Sequence, residues 1–181
     1  MNSKGPDLTA YRFDGQVVAN FVTTGQGVYK DDNGSSRGIS NEVDRDVLIH
    51  LRSQATAVLV GGETARNEGY RPDSRFETIV LTRRDLGISD GLTRLKTETD
   101  WELSEEIRQI RARHNSLLLE AGPSLISKLA ELRVIDTLCL SVVDPVGEPN
   151  RLLKLLFDID EASLKSSQEV GDTLLTVWRL K

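Results

Sequence analysis

Cysteine is nearly absent from this sequence, since Cys139 is the only one among 181 residues. A single thiol excludes an internal disulfide and any zinc site built from several cysteines. Cys139 lies in the apolar run LCLSVV, so we interpret it as a buried structural residue rather than a reactive one. Histidine is also scarce, and His50 and His114 stand far apart, so the sequence predicts no metal site.

Long apolar runs and large basic clusters are missing as well. No stretch approaches the roughly 20 apolar residues of a membrane-spanning helix, and the polar start MNSKGPDLTA is unlike a signal peptide, so we expect a cytoplasmic protein without a membrane partner. The net charge is −5 and the largest basic cluster is the pair Arg83-Arg84, which argues against nucleic-acid binding. One or two arginines are still enough to bind an anionic small molecule.

What remains is the composition of one globular domain, with 38% hydrophobic and 28% charged residues. The polar segment 1–14 predicts a loose N-terminal arm, although such arms often pack on a neighbouring subunit. The glycine-rich segment 25–38 predicts a mobile loop. Strand and helix patterns alternate through the rest of the chain. The predicted strands are 17–23, 57–60, 78–81, 117–119, 138–143, 163–170 and 173–180, and the predicted helices are 42–53, 65–68, one starting at the Thr99 capping box and one starting at Pro123.

These elements define the expected fold class. Alternating strands and helices favour an α/β protein with three layers, in which helices cover both faces of one central mixed sheet. The last two strands flank Gly171-Asp172, and a glycine in first place suits a tight type II′ turn. We therefore expect the sheet to end in an antiparallel C-terminal hairpin.

Two strand ends carry the features of a ligand-binding edge. Residues 57–72 read AVLVGGETARNEGYRP, so a buried strand stops at two glycines and polar groups follow at once. Residues 117–123, LLLEAGP, have the same build. Because open α/β sheets bind ligands beyond the carboxyl ends of their strands, we expect the two exits to form one nucleotide-sized crevice.

The chemistry of these exits leaves alternatives open. The turn GGET at residues 61–64 offers amides and a hydroxyl near a helix N-terminus, which suits an anion, but it equally suits a tight turn capped by the threonine. Glu120 is followed by small residues that let a ligand approach the main chain, or it is a solvated strand-end acid. Thr82 and Arg83 either hold the 2′-phosphate that distinguishes NADP from NAD or form a solvated turn.

Taken in order, the blocks of this sequence resemble a known family. They are Asn20–Thr23, Ile39-Ser40, Asp44-Arg45, Leu51-Arg52, residues 57–72 and residues 117–143. The series is similar to the C-terminal reductase domain of the bifunctional riboflavin-biosynthesis deaminase/reductase, a branch of the dihydrofolate-reductase-like fold. The resemblance runs from about residue 20 to residue 147. It implies a homodimeric reductase that uses NADPH to convert the ribosyl group of 5-amino-6-(5-phosphoribosylamino)uracil to a ribityl group.

The same resemblance implies roles for individual residues. The cofactor side comprises Gly61, Gly62, Thr64, Thr82, Arg83, Ala121, Gly122 and Pro123, and the substrate side comprises Asn20, Ser40, Arg66 and Tyr70. Glu120 is the candidate proton donor, with bound water as the alternative. The implied ligands are NADPH and a small phosphorylated substrate.

The sequence also departs from the family pattern. Where the family has S/T-L-D-G-K/R, residues 24–28 read TGQGV, so an acid and a base are absent. Residues 68–72, EGYRP, replace D-x-P-x-L-x-x-R, which leaves Arg71 or Arg75 as the candidate phosphate ligand. The H-x-E and C-x-x-C motifs of the zinc deaminase half have no counterpart, so we expect no deaminase activity. Two alternatives stay open: a reductase of this fold for another pteridine-like, pyrimidine or small carbonyl substrate, and a nucleotide-binding domain without catalysis.

Overall fold

One eight-stranded sheet organises the chain in a computed structural model that describes residues 5–13, 16–84 and 87–180. The elements are β1 (Val17–Thr24), α1 (Glu42–Gln54), β2 (Ala57–Gly61), α2 (Gly62–Glu68), β3 (Glu77–Leu81), β4 (Thr93–Leu95), α3 (Asp100–Arg113), β5 (Leu117–Glu120), α4 (Pro123–Glu131), β6 (Thr137–Val143), α5 (Asn150–Phe157), β7 (Ala162–Val170) and β8 (Thr173–Leu180). Every predicted helix and strand is confirmed. The sequence predictions missed the short strand β4 and the helix α5, and α2 begins earlier than predicted.

The sheet is mixed, as expected from the sequence. Its strand order is β4-β3-β2-β5-β1-β6-β8-β7, with parallel pairing from β4 through β6. Strand β8 then pairs antiparallel with β6, and β7 pairs antiparallel with β8. Gly171 has a φ of +61° and Asp172 does not have a positive φ, as the predicted type II′ turn requires.

Alternating side chains of the central strands supply two apolar cores, one on each face of the sheet. In β5, Leu117 and Leu119 join the core beneath α3, α4 and α5, whereas Leu118 joins the core beneath α1 and α2. This is the period of two that a strand covered on both faces requires. The three-layer prediction is therefore confirmed, and Cys139 is buried as expected. None of the helices in the described ranges is long and apolar enough to cross a lipid bilayer.

The described part of the expected N-terminal arm packs against the domain itself. Tyr11 is 3% exposed and belongs to the core beneath α1. Its carbonyl oxygen accepts hydrogen bonds from Gln54 Nε2 at 2.8 Å and from His50 Nε2 at 3.1 Å. Residues 5–13 are thus held on α1 rather than loose, because an aromatic ring is buried there. Residues 1–4 and 14 of the predicted arm lie outside the described residues.

The capping box at the start of α3 gives a direct test of a local interaction predicted from the sequence. Thr99 Oγ1 accepts a hydrogen bond from the amide of Glu102, and Glu102 Oε2 accepts one from the amide of Thr99, both at 3.2 Å. Thr99→Ala is expected to lower the free energy of unfolding by about 1 kcal/mol in urea denaturation, because a helix amide loses its acceptor. Thr97→Ala, outside the helix, is the control and should change it by less than about 0.5 kcal/mol. Equal losses in both variants would contradict the prediction.

Candidate functional site

The strand exits after Gly61 and Glu120 meet at one edge of the sheet. Strands β2 and β5 are adjacent and parallel, with Val60 opposite Glu120. A cleft of about 430 Å³ opens there, and both Thr64 and Gly122 line it. The prediction of a single crevice between the two exits is confirmed. The volume lies in the range of small-ligand pockets.

The cleft brings together part of the predicted site. The predicted residues in its lining are Asn20, Ser40, Thr64, Tyr70, Glu120, Ala121 and Gly122. Those outside its lining are Gly61, Gly62, Arg66, Thr82, Arg83 and Pro123. The lining therefore mixes residues expected on the cofactor side with residues expected on the substrate side, and their individual roles stay predictions.

Several residues outside the lining have contacts that explain their identity. A Cβ on Gly62 would lie 2.5 Å from Thr82 Oγ1, so α2 and the end of β3 approach closely because residue 62 is a glycine. The Thr82 hydroxyl donates to the Arg84 carbonyl at 2.7 Å and accepts from the Arg84 amide at 3.1 Å. The Thr82 hydroxyl therefore stabilises the turn at residues 82–84. Arg83 is exposed. The side chain of Arg66 lies beside Gly62, away from the cleft lining.

Both helices at the cleft edge start without a side-chain cap. Gly61 is the N-cap of α2 and Gly122 is the N-cap of α4, so neither helix start has a capping side chain that accepts from its amides. Pro123 occupies the first turn of α4, as predicted. Thr64 lies inside α2, and its hydroxyl makes no hydrogen bond to a described residue, so the alternative of a threonine-capped turn is wrong. In α4, Pro123 has no N–H and the Leu125 amide donates to the Gly122 carbonyl at 3.1 Å, so the Ser124 amide is the first-turn donor left for an anion.

An ion pair inside the cleft joins three parts of the chain, and sequence reasoning did not identify it. Arg52 of α1 donates from Nε to Glu120 Oε1 at 2.7 Å and from Nη2 to Glu120 Oε2 at 2.5 Å. The Tyr70 hydroxyl donates to Glu120 Oε2 and accepts from Arg52 Nη2, the latter at 3.1 Å. Hydrogen bonding to Glu120 raises the pKa of Arg52, and burial raises the pKa of Tyr70. Because both Glu120 oxygens accept hydrogen bonds, the geometry favours a structural role for Glu120 over proton donation.

The spacing of residues along α1 could have indicated that Arg52 faces the cleft. Asp44, Leu48 and Arg52 follow one another at intervals of four residues, and all three line the cleft. Charged residues of an amphipathic helix ordinarily lie away from its apolar face, yet Asp44 is buried. A four-residue interval keeps side chains on one side of a helix, here the side that faces the cleft.

Asp44 is a buried acid with an incomplete set of hydrogen bonds. It is 3% exposed, and its Oδ2 accepts the Ser40 hydroxyl at 2.6 Å. Burial raises the pKa of Asp44, and the hydroxyls of Ser40 and Ser141 act in the opposite direction. Within the described ranges, the buried side-chain polar atoms that lack a hydrogen-bond partner are Asn20 Oδ1, Asp44 Oδ1 and Thr78 Oγ1. All three of these residues line the cleft.

The segment predicted to be a mobile loop forms one wall of the cleft and is anchored to α2. Glu68 Oε1 accepts hydrogen bonds from the Ser35 hydroxyl at 2.9 Å, the Ser36 amide at 2.7 Å and the Ser36 hydroxyl at 3.0 Å. Glu68 Oε2 pairs with Arg37 Nε at 3.1 Å. Asn67 Nδ2 also donates to the Gly34 carbonyl at 3.1 Å, and Lys30 pairs with Glu63 at 2.6 Å. Several side chains of α2 therefore hold this wall.

The departure from the family pattern at residues 24–28 lies outside the cleft lining, since neither Gln26 nor Val28 is part of it. A Cβ on Gly25 would overlap the main chain of Asp144 and Val146. Close packing against the loop that follows β6 therefore explains the glycine where the family has leucine.

Two arginines in the cleft lining make no ion pair with a described residue. Arg45 and Arg71 are both exposed. Arg75, the other candidate phosphate ligand, instead pairs with Asp73 at 2.7 Å, and its hydrogen bonds lower the pKa of Asp73 to about 2. The geometry thus favours Arg71 over Arg75 as the phosphate ligand.

In the described ranges, no group of three histidine, cysteine, aspartate or glutamate side chains is arranged to hold a metal ion.

Comparison with known proteins agrees with this architecture. A pyrimidine reductase-like protein from Corynebacterium diphtheriae is 17% identical, with a TM-score of 0.70 over 97% of this chain and 95% of that one. A diaminohydroxyphosphoribosylaminopyrimidine deaminase/5-amino-6-(5-phosphoribosylamino)uracil reductase from Thermotoga maritima is 16% identical, with a TM-score of 0.67 over 92% of this chain, which spans 56% of that protein. Dihydrofolate reductase from Enterococcus faecalis, complexed with NADP(H) and RAB-propyl, is 17% identical, with a TM-score of 0.60 over 93% of this chain and 98% of that one. No curated protein sequence matches this chain.

The sheet and its flanking helices define a protein of the dihydrofolate-reductase-like α/β class. A family model described as the RibD C-terminal domain matches residues 16–146. The chain therefore belongs to the RibD C-terminal domain family. This confirms the family resemblance found in the sequence.

The ion pair in the cleft can be tested through stability. Arg52→Met is expected to lower the free energy of unfolding by about 2 to 3 kcal/mol, because it leaves Glu120 buried without its guanidinium partner. The expected loss lies below the roughly 3 to 5 kcal/mol of fully buried pairs, since the Arg52 side chain is 28% exposed. Arg45→Met, an exposed site on the same helix, is the control and should change it by less than about 0.5 kcal/mol. Adding Glu120→Gln to Arg52→Met should recover part of the loss, and a further additive loss would contradict the coupling.

Proposed function

We propose that this protein is an NADPH-dependent reductase of the 5-amino-6-(5-phosphoribosylamino)uracil reductase type, which converts the ribosyl group of its substrate to a ribityl group by hydride transfer. The observation that carries the proposal is the shared cleft at the ends of β2 and β5, in a chain of the RibD C-terminal domain family. The dihydrofolate reductase of the same fold, complexed with NADP(H), supports a nicotinamide cofactor.

The cofactor side of the proposed site is formed by Thr64, Ala121 and Gly122. A Cβ placed on Gly122 would meet no atom within 4 Å, so the main chain there is open to a bound group. The start of α4 supplies the Ser124 amide for a phosphate, since Pro123 has no N–H and the Leu125 amide donates to Gly122. These features fit a dinucleotide, and NADPH supplies the hydride when it is bound.

The substrate side is formed by Asn20, Ser40 and Tyr70, with Arg71 as the phosphate ligand. Arg71 lines the cleft, is exposed and makes no ion pair with a described residue, which suits an anionic group. Since hydrogen bonds occupy both Glu120 oxygens, we infer that a water molecule supplies the proton. The chain's main contribution is then to hold the two ligands in contact in the cleft.

A direct assay tests the function. NADPH binding is followed by fluorescence, and reduction of 5-amino-6-(5-phosphoribosylamino)uracil is followed by the loss of NADPH absorbance. Binding with turnover supports the proposal. Binding without turnover would favour a same-fold reductase for another pteridine-like or small carbonyl substrate. If a folded sample does not bind NADPH, the reductase hypothesis fails, and the alternative of a nucleotide-binding domain without catalysis is favoured.

Gly122 provides a site-specific prediction. Gly122→Val is expected to weaken NADPH binding at least tenfold, because a branched side chain would occupy the cofactor's approach to the main chain. The fold should survive, since the φ of Gly122 is −68° and nothing lies within 4 Å of a Cβ there. Gly5→Val adds the same side chain to open space elsewhere and serves as the control. Unchanged NADPH affinity in Gly122→Val would remove this turn from the cofactor site.

Arg83 tests the choice between NADPH and NADH. If its guanidinium contacts the 2′-phosphate, Arg83→Ala should weaken NADPH by about tenfold and leave NADH within about twofold, because only NADPH carries that charge. Arg84→Ala is the matched control. Fluorescence titration with both cofactors measures the ratio. Equal losses for NADPH and NADH would reject the assignment.

A further inference from the structure

We propose that Arg52 is a positioning residue for the cofactor turn, the two residues Ala121 and Gly122. It orients Glu120 by a two-point contact and so fixes the main chain on which the nicotinamide cofactor binds. The inference rests on the proposed function, because that function places NADPH at this turn. Arg52 acts through Glu120 and is assigned no contact with the cofactor itself.

The first argument is that the cofactor turn has few main-chain hydrogen bonds of its own. The pairing of β5 with β1 stops one residue before Glu120, which is paired only with Val60 of β2. The amides of Ala121 and Gly122 donate to no described residue. The Gly122 carbonyl accepts from the Leu125 amide at 3.1 Å, which attaches the far end of the turn to α4. On the strand side, the position of the turn therefore depends on side-chain contacts: the apolar packing of Ala121 and the polar contacts of Glu120.

The second argument is the geometry of those polar contacts. Arg52 donates from Nε to Glu120 Oε1 at 2.7 Å and from Nη2 to Glu120 Oε2 at 2.5 Å. Two N–H donors of one rigid guanidinium fix the orientation of a carboxylate as well as its distance. A lysine ammonium supplies the same charge without this constraint. The Tyr70 hydroxyl also donates to Oε2, so the carboxylate is held from two elements.

The third argument is that stability alone does not explain this ion pair. Replacing a buried ion pair by apolar side chains of similar volume is often neutral or stabilising. Apolar side chains would not fix the orientation of residue 120 beside the cleft, which Arg52 and Glu120 both line. Leu51 of α1 and Leu118 of β5 belong to one apolar core, so the two elements that carry the pair are themselves packed together. A hydrogen-bonded support on packed elements is what holds a binding group in a defined place.

The test separates orientation from charge and from stability. Fluorescence titration with NADPH compares the wild type with Arg52→Met, with Arg52→Lys and with the double variant that combines Arg52→Met and Glu120→Gln. Urea denaturation is measured on every variant. The matched control is Arg108→Met, which removes the arginine of an exposed ion pair with Glu105 on α3. Arg52→Lys keeps a positive charge beside Glu120, so it carries the test if Arg52→Met does not fold.

We expect Arg52→Met to weaken NADPH binding about tenfold and Arg52→Lys to weaken it about fivefold, because neither side chain holds the carboxylate at two points. Arg108→Met should stay within about twofold. In the double variant, stability should recover in part because the unpaired buried charge is gone, whereas NADPH affinity should stay about tenfold weaker because the two-point contact is still missing.

Two results of the titrations would overturn the inference. One is an NADPH affinity within about twofold of the wild type in the Arg52 variants. The other is an affinity that recovers together with stability in the double variant, because Arg52 would then contribute to stability alone.

A measurement without cofactor keeps this inference separate from the proposed function. The ¹⁵N relaxation order parameter of Gly122 in the full chain should be about 0.85 in the wild type and in Arg108→Met, and below about 0.6 in Arg52→Met. An unchanged order parameter in Arg52→Met would overturn the inference even if NADPH turnover by the wild type supports the function. If the wild type does not bind NADPH, the reductase function fails, and a fall in the Gly122 order parameter still supports Arg52 as the residue that holds this turn.

Discussion

The bidentate pair of Arg52 and Glu120 adds a buried polar link between two elements, α1 and β5, that also share an apolar core. It links helix α1 to the end of strand β5, and Tyr70 adds the segment after α2. A buried carboxylate is costly unless donors surround it, so the three groups depend on one another for a stable position. The hydrogen bonds among Arg52, Glu120 and Tyr70 hold this part of the cleft in place. A bound ligand would then interact with lining atoms outside these three side chains.

The fold was largely predictable because its central strands are covered on both faces. Such strands read as uninterrupted apolar runs, and residues 57–60 and 117–119 show this pattern. Strand β4 was missed because it has three residues, none of them buried, and so carries no apolar signal. Helix α5 was missed because it is short and derives its stability from tertiary packing, as in the edge-on contact of Phe157 with Phe21 at 5.0 Å between ring centroids.

The candidate site was predictable only where it depends on strand ends. Adjacent parallel strands bring their exits together, which placed Thr64 and Gly122 in one cleft. Asp44 and Arg52 escaped prediction because a charged residue on an amphipathic helix is ordinarily assigned to the solvent side. The placement of each depends on its contacts in the folded chain, Glu120 for Arg52 and Ser40 with the cleft for Asp44. Pairing of this kind is tertiary and leaves no local pattern beyond the four-residue interval.

The attachment of one cleft wall to helix α2 has a consequence for how the opening of the cleft can change. Glu68 accepts from one main-chain amide and two serine hydroxyls and pairs with one guanidinium. Asn67 and Glu63 of the same helix bind Gly34 and Lys30 of the wall. Because these tethers all start from one helix, a displacement of α2 would carry the wall with it, whereas the loss of a single tether leaves the others in place.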